Sequence, residues 1–213
     1  GVNAASGNGG NYALSRLTIA GSAGNGFTKC MVLGDQGAAN SSLYDMTFQP
    51  AADTAGHIGL SIEDVQTVVV NLYSCSFVNA YIGLTNQEGG VQGYGNMTCF
   101  GCNFGNNAYS DITLNVENPV RFSAYDCYTE NSKRFLDTAP AVSLVNQGRA
   151  INIVGLQVSS HTDATLIRWT GGGPLNIIGC VFGSEASGSG GFGIALNTGG
   201  PIGLGALNIS GTS

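Results

Sequence analysis

Charge is scarce in this 213-residue chain: only 9% of its residues are Asp, Glu, Lys or Arg, and Lys+Arg 7 against Asp+Glu 13 leave a formal net charge of -6. With no basic cluster to neutralise phosphates, nucleic acid is not an expected partner. No apolar run approaches the ~18 residues that a membrane-spanning helix requires, so membrane insertion is not expected either. The glycines follow no Gly-X-Y period, which excludes a collagen. A GxxxxGK[ST] phosphate loop is missing, and no Ser-His-Asp or Cys-His set can be assembled without long-range assumptions. His57 and His161 are isolated, so neither a metal site nor a cofactor is expected.

What is present is glycine, 34 residues of it, in a chain that is 43% hydrophobic. That is too apolar for disorder, so the glycines punctuate something packed. The packed units are visible as triplets: Leu17-Thr18-Ile19, Met46-Thr47-Phe48, Cys75-Ser76-Phe77, Cys102-Asn103-Phe104, Cys127-Tyr128-Thr129, Leu156-Gln157-Val158, Cys180-Val181-Phe182 and Leu207-Asn208-Ile209. They recur every 24 to 29 residues, a spacing typical of stacked repeats.

The register extends backward from each triplet. Three residues before it stand Leu14, Leu43, Leu72, Cys99, Ala124, Ile153, Ile177 and Leu204; five before stand Tyr12, Ser41, Val70, Met97, Phe122, Ile151, Leu175 and Ile202. Polar residues such as Ser42, Asn71, Thr98, Ser123, Asn152 and Asn176 alternate with them, so each unit carries two short strands joined by a bend. A third strand is expected at Ile58–Ile62, Ile82–Leu84, Ile112–Val116, Val142–Val145 and Ile194–Leu196. No segment shows a sustained 3.6-residue apolar period, and a sandwich gives no reason for residue type to persist in columns. The expected fold is all-β: a right-handed parallel β-helix of about eight coils, a single domain over residues 1–213. Its polar start and its end just after an apolar strand fit either an ordinary capped domain or a piece of a longer fibre or tailspike.

Cys75, Cys102, Cys127 and Cys180 open their triplets, and Cys99 falls in the leucine column, so they read as small buried hydrophobes with free thiols. Two residues before the triplets stand Tyr44, Tyr73, Phe100 and Tyr125, followed by Val154 and Ile178. Lying between two inward columns, they should face outward or sit in the bend. The four aromatics are a local core under a turn, a subunit interface, or a platform for sugar rings.

Among acidic residues, Glu63 and Glu117 share a column with Gln87 and Gln147, two coils apart and so separated by roughly 9.6 Å. That is near the carboxyl separation of inverting glycosidases, although carboxylates at strand ends are more often solvated edges. Arg121, Asp126, Glu130, Lys133, Arg134 and Asp137 cluster along one coil. They form either a solvated network or a grip on a carboxylated sugar, with Asp126 or Glu130 acting on the glycosidic bond.

The column of Cys75, Cys102 and Cys127, the Asn and Ser residues at the turns, and phrases such as Cys75-Ser76-Phe77 and Cys102-Asn103-Phe104 resemble the pectate-lyase-like parallel β-helix superfamily. The resemblance covers nearly the whole chain but is architectural. It implies one of two activities: the polysaccharide binding of bacteriophage tailspikes, or the cleavage of a glycoside hydrolase or lyase. The Asp-rich calcium positions and arginine base of a pectate lyase are absent, which favours binding. The expectation is a polysaccharide-binding, receptor-recognition domain of a phage tailspike or secreted fibre. Its implied partner is bacterial surface polysaccharide, its implied state a homotrimer, and its place the virion or the extracellular space. A structural spacer or adhesin segment is the remaining alternative.

Overall fold

The structure, a computed structural model, describes residues 2–4, 11–21, 28–33, 40–63, 69–86, 95–114, 120–138, 150–163, 165–169, 174–183, 193–196 and 207–213. These form a parallel β-helix of three sheets. Sheet A stacks Val2–Ala4, Lys29–Leu33, Ile58–Ile62, Ile82–Thr85, Ser110–Leu114, Leu136–Thr138, Thr165–Trp169 and Gly193–Leu196. Sheet B stacks Asn11–Ser15, Asn40–Tyr44, Val69–Tyr73, Gly95–Phe100, Val120–Tyr125, Ile151–Val154, Leu175–Ile178 and Leu207–Ser210. Sheet C stacks Thr18–Ala20, Thr47–Gln49, Ser76–Val78, Asn103–Gly105, Tyr128–Glu130, Gln157–Val158 and Val181–Phe182. The chain visits A, B and C in turn, so each strand pairs with its counterpart one coil away.

The expected columns are the registered pairs of sheet B. Leu43 pairs with Leu72, Leu72 with Cys99, Cys99 with Ala124, Ala124 with Ile153, and Ile153 with Ile177. All six are buried. Each side chain is covered by the like residue above and below, so the core is a set of parallel rows rather than a central cluster. In sheet C, Phe48, Phe77 and Phe104 form a buried row, stacked at 4.9 and 5.1 Å between ring centroids. Gly59 and Gly83 make room for it from sheet A. A Cβ on Gly59 would lie 3.3 Å from Phe77 Cδ1 and 2.5 Å from the Gly83 carbonyl oxygen.

Between sheets B and C every coil turns through one residue with positive φ: Arg16, Asp45, Ser74, Gly101, Asp126, Gly155, Gly179 and Gly211, at values from 51° to 67°. Their amides extend the ladder into the corner. Arg16 N donates to Tyr44 O, Asp45 N to Tyr73 O, Ser74 N to Phe100 O, Gly101 N to Tyr125 O and Asp126 N to Val154 O, all at 2.9 to 3.0 Å. Left-handed backbone normally disfavours a side chain, and at Gly155 a Cβ would stand 2.3 Å from Asp126 Oδ1, so that the carboxylate would have to swing away.

Two strand assignments read from sequence need correction. Leu207-Asn208-Ile209 is no sheet C triplet: Leu207 pairs with Leu175 and Ile209 with Ile177, placing the segment in sheet B. The same phrase, apolar-Asn-apolar-X-Gly, occurs at Ile151–Gly155 and Leu175–Gly179, and the glycine at the turn identifies the strand before it. In the coil of Tyr128, the sheet A strand is Leu136–Thr138, paired to Ile112–Leu114. Val142–Val145 lies outside the described residues.

Candidate functional site: the outer face of sheet B

Alternation along sheet B sends Leu43, Leu72 and their row inward; outward, beside a column of Asn40, Val69, Asn96 and Arg121, run two further adjacent columns. One holds hydrogen-bonding side chains, Ser42, Asn71, Thr98, Ser123, Asn152, Asn176 and Asn208; the other holds Tyr44, Tyr73, Phe100, Tyr125, Val154 and Ile178. Neither contains a charge. The apolar column spans five coil spacings, about 24 Å at ~4.8 Å each.

The amide column is internally connected. Asn208 Nδ2 donates to Asn176 Oδ1 at 2.7 Å, Asn176 Nδ2 to Asn152 Oδ1 at 2.8 Å, and Asn152 Nδ2 to Ser123 Oγ at 3.2 Å. An amide in such a ladder uses one N–H and one lone pair along the axis and retains one of each for a ligand.

The four aromatics predicted to line up do so. Ring centroids are 4.8 Å apart for Tyr44 and Tyr73, 5.0 Å for Tyr73 and Phe100, and 5.2 Å for Phe100 and Tyr125, with interplanar angles of 6°, 6° and 13°. Tyr44 is 39% exposed, and the other three are half-buried. The local-core reading therefore fails for Tyr44, while ring-on-ring stacking fixes the orientation of the whole row.

The carboxylate candidates do not converge among the described residues. Glu63 is tied to Lys29 Nζ at 2.6 Å, and Glu117, with Gln87 and Gln147, lies outside the described residues. Glu130 Oε2 accepts the Tyr128 hydroxyl at 2.6 Å, while Asp126 is exposed at its left-handed corner above Gly155. The cluster around Arg134 divides. Arg121 is exposed on the outer face of sheet B, whereas Arg134 and Asp137 are buried. Asp137 accepts from Arg134 Nη1 at 2.7 Å and from Arg168 Nε and Nη2 at 2.5 and 2.6 Å. Arg134 Nη2 also donates to Asp163, Arg168 Nη2 reaches the Tyr109 hydroxyl at 3.0 Å, and Tyr109 stacks on Tyr81 at 5.1 Å. This network saturates Asp137 and fastens successive coils; Arg168 and Asp163 were not singled out in the sequence because they lie about 30 residues away.

A second polar group sits inside the solenoid. Asp111 is fully buried and accepts from Asn107 Nδ2 at 2.8 Å and from the Thr129 hydroxyl at 2.5 Å. Burial pushes its carboxyl up to about 7 against the opposing effect of the Ser132, Thr129 and Asn107 donors. Being enclosed, it has no route to a polymer. Among the described residues no three His, Cys, Asp or Glu side chains are grouped to hold a metal, and no helix is long and apolar enough to cross a membrane.

In comparisons with known proteins, no family model matches the chain, and neither a curated protein nor a solved structure matches it. The fold is that of a parallel β-solenoid, an architecture compatible with the pectate-lyase-like superfamily.

Proposed function

We propose that this chain is a polysaccharide-binding domain of the tailspike or secreted-fibre kind, using the outer face of sheet B to recognise a bacterial surface glycan. The observation that carries the reading is the pairing of a charge-free hydrogen-bonding column with a charge-free apolar one, repeated coil after coil. A neutral polymer presents hydroxyls and apolar C–H faces in alternation, and repeats them along its length. Rigid, preorganised side chains minimise the entropy lost on binding such a ligand. The local partners of Glu63, Glu130 and Asp137 favour binding over cleavage.

The reading includes a virion or extracellular location and a homotrimer as the working assembly. Electrophoresis through gels containing dextran, mannan, hydroxyethyl cellulose or galactan tests it. Retardation by at least one polymer, weakened by Asn152→Leu with Asn176→Leu, is the expected result. Equal mobility in every gel overturns the reading. Sedimentation of the same samples measures the assembly, and a monomeric mass would remove the trimer from it.

A further inference from the structure

We infer that the four aromatics are not equivalent, and that one ring face, the side of Tyr44 turned toward Ser15, is the sugar-stacking seat of this surface. The inference rests on the polysaccharide reading and assigns its stacking residue. A sugar packs its C–H face on the face of an aromatic ring, so the question is which ring faces are open. Tyr73 lies between Tyr44 and Phe100, and Phe100 between Tyr73 and Tyr125, at interplanar angles of 6° to 13°. Both faces of these two rings are covered by their neighbours. Only the ends of the stack remain.

The two ends differ. Beyond Tyr125 the register partner is Val154, a branched aliphatic side chain that continues the apolar column. Beyond Tyr44 the partner is Ser15, which is small and itself exposed. Accessibility follows this asymmetry, since Tyr44 is 39% exposed while Tyr73, Phe100 and Tyr125 are half-buried.

The surroundings of Tyr44 suit a hydroxylated ligand. Arg16, whose amide donates to Tyr44 O at 3.0 Å, and Asp45, next in sequence, occupy successive positive-φ corners and are both exposed. They bring a five-donor guanidinium and an acceptor carboxylate to the corner beside the ring. The inner rings then have a positioning role: they hold Tyr44 in one orientation, so that little rotamer entropy is lost when a sugar arrives. The ligand class is a neutral hexopyranose with one apolar face.

The test uses the same four gel-immobilised polysaccharides. Tyr44→Leu is expected to weaken retardation about tenfold, the equivalent of ~1.4 kcal/mol, and Tyr44→Phe, which keeps the ring, only about twofold. Phe100→Leu, which loosens the stack without removing the open face, should cost about threefold. If the unaltered protein is retarded by none of the polymers, the polysaccharide reading and the seat fall together. If it is retarded but Tyr44→Leu behaves like it, or Tyr44→Phe is as weak as Tyr44→Leu, the seat is overturned and the wider reading stands. Tyrosine-labelled NMR of the unaltered chain gives an answer independent of variant folding. Added polysaccharide should shift the Tyr44 ring signals most, and a larger shift at Tyr73 or Tyr125 would overturn the assignment.

Discussion

Thr129 donates its hydroxyl to Asp111 inside the solenoid, at the level where the stacked row of Phe48, Phe77 and Phe104 ends. In the coils before it the same two columns hold Phe104 in sheet C and Gly83 in sheet A, with Phe77 and Gly59 one coil earlier. The chain thus exchanges a large apolar side chain facing a glycine for a hydroxyl facing a carboxyl.

A pH dependence follows from this exchange. The folded-state pKa of Asp111, about 7, lies above its ordinary 3.8, so the folded protein holds the proton more tightly than the unfolded chain. Its contribution is present at low pH and declines as pH rises from about 4 through 7, by at most ~1.4 kcal/mol per unit. His161, whose pKa burial lowers, acts oppositely, losing stability as pH falls below its unfolded 6.5. Urea denaturation of wild type and Asp111→Asn at a series of pH values isolates the carboxyl. The difference should grow in favour of the variant between pH 4 and 8, and a pH-independent difference would contradict the assignment.

Leu72 is fully buried in the middle of its row, between Leu43 and Cys99. Leu72→Asp places an unpaired carboxylate between two apolar coils and should cost more than ~3 kcal/mol, enough to prevent folding or to lower Tm steeply. Circular dichroism melting checks it. Retention of wild-type Tm would mean that the row is not a continuous core.

The six cysteines Cys30, Cys75, Cys99, Cys102, Cys127 and Cys180 are free and buried. The thiols of Cys75, Cys127 and Cys180 each donate weakly to the carbonyl two residues earlier, at 3.5 to 3.6 Å. Burial pushes the Cys30 thiol up to about 11 and that of Cys180 upward as well, while the Cys102 thiol beside Cys75 and Cys127 lowers those two, whose protection comes from enclosure of the sulfur alone. A bulky thiol reagent should therefore label them slowly in the native protein and at once in urea. Mass analysis of the unfolded, unreduced chain should detect six thiols; linked cysteines would disprove the packing role.

Asp137 is fully buried between two arginines, whereas the Lys29–Glu63 pair is about one-fifth exposed on each side chain. Asp137→Ala should cost ~2–3 kcal/mol, because it removes the carboxylate that joins buried Arg134 to Arg168 and leaves Arg134 to Asp163. Lys29→Met should cost no more than ~1 kcal/mol. Equilibrium unfolding of the two variants makes the comparison, and equal losses would mean that the Arg134–Asp137–Arg168 network does not hold the coils together.

How far the fold was legible depends on which corner is considered. From sheet B to sheet C the inward residues are always five apart: Leu43 to Phe48, Leu72 to Phe77, Cys99 to Phe104, Ala124 to Thr129, Ile153 to Val158. A fixed spacing turns stacking into a sequence column, and those strands and their burial were readable. From sheet A to sheet B the paired residues are 8 apart at Ile167 to Leu175 but 15 apart at Leu136 to Ile151. The strand at Leu136–Thr138 also carries Asp137 at its centre, which breaks the apolar alternation that Val142-Ser143-Leu144-Val145 keeps in sequence. The outward aromatic row was readable for the same reason as the core. The difference between Tyr44 and its neighbours was not, because it depends on which ring faces another.

The constant turn between sheets B and C divides the chain into places that accept a change of length and places that refuse it. One residue added there would move every following side chain of the sheet C strand from inside to outside in that coil alone, against unchanged neighbours on both sides. The links between sheets A and B already differ by seven residues from coil to coil (15 against 8) while leaving the stacked strands in register. Loop grafting, tag insertion and natural length variation should therefore gather between sheets A and B, and the coil, not the residue, is the unit in which this rod can grow or shorten.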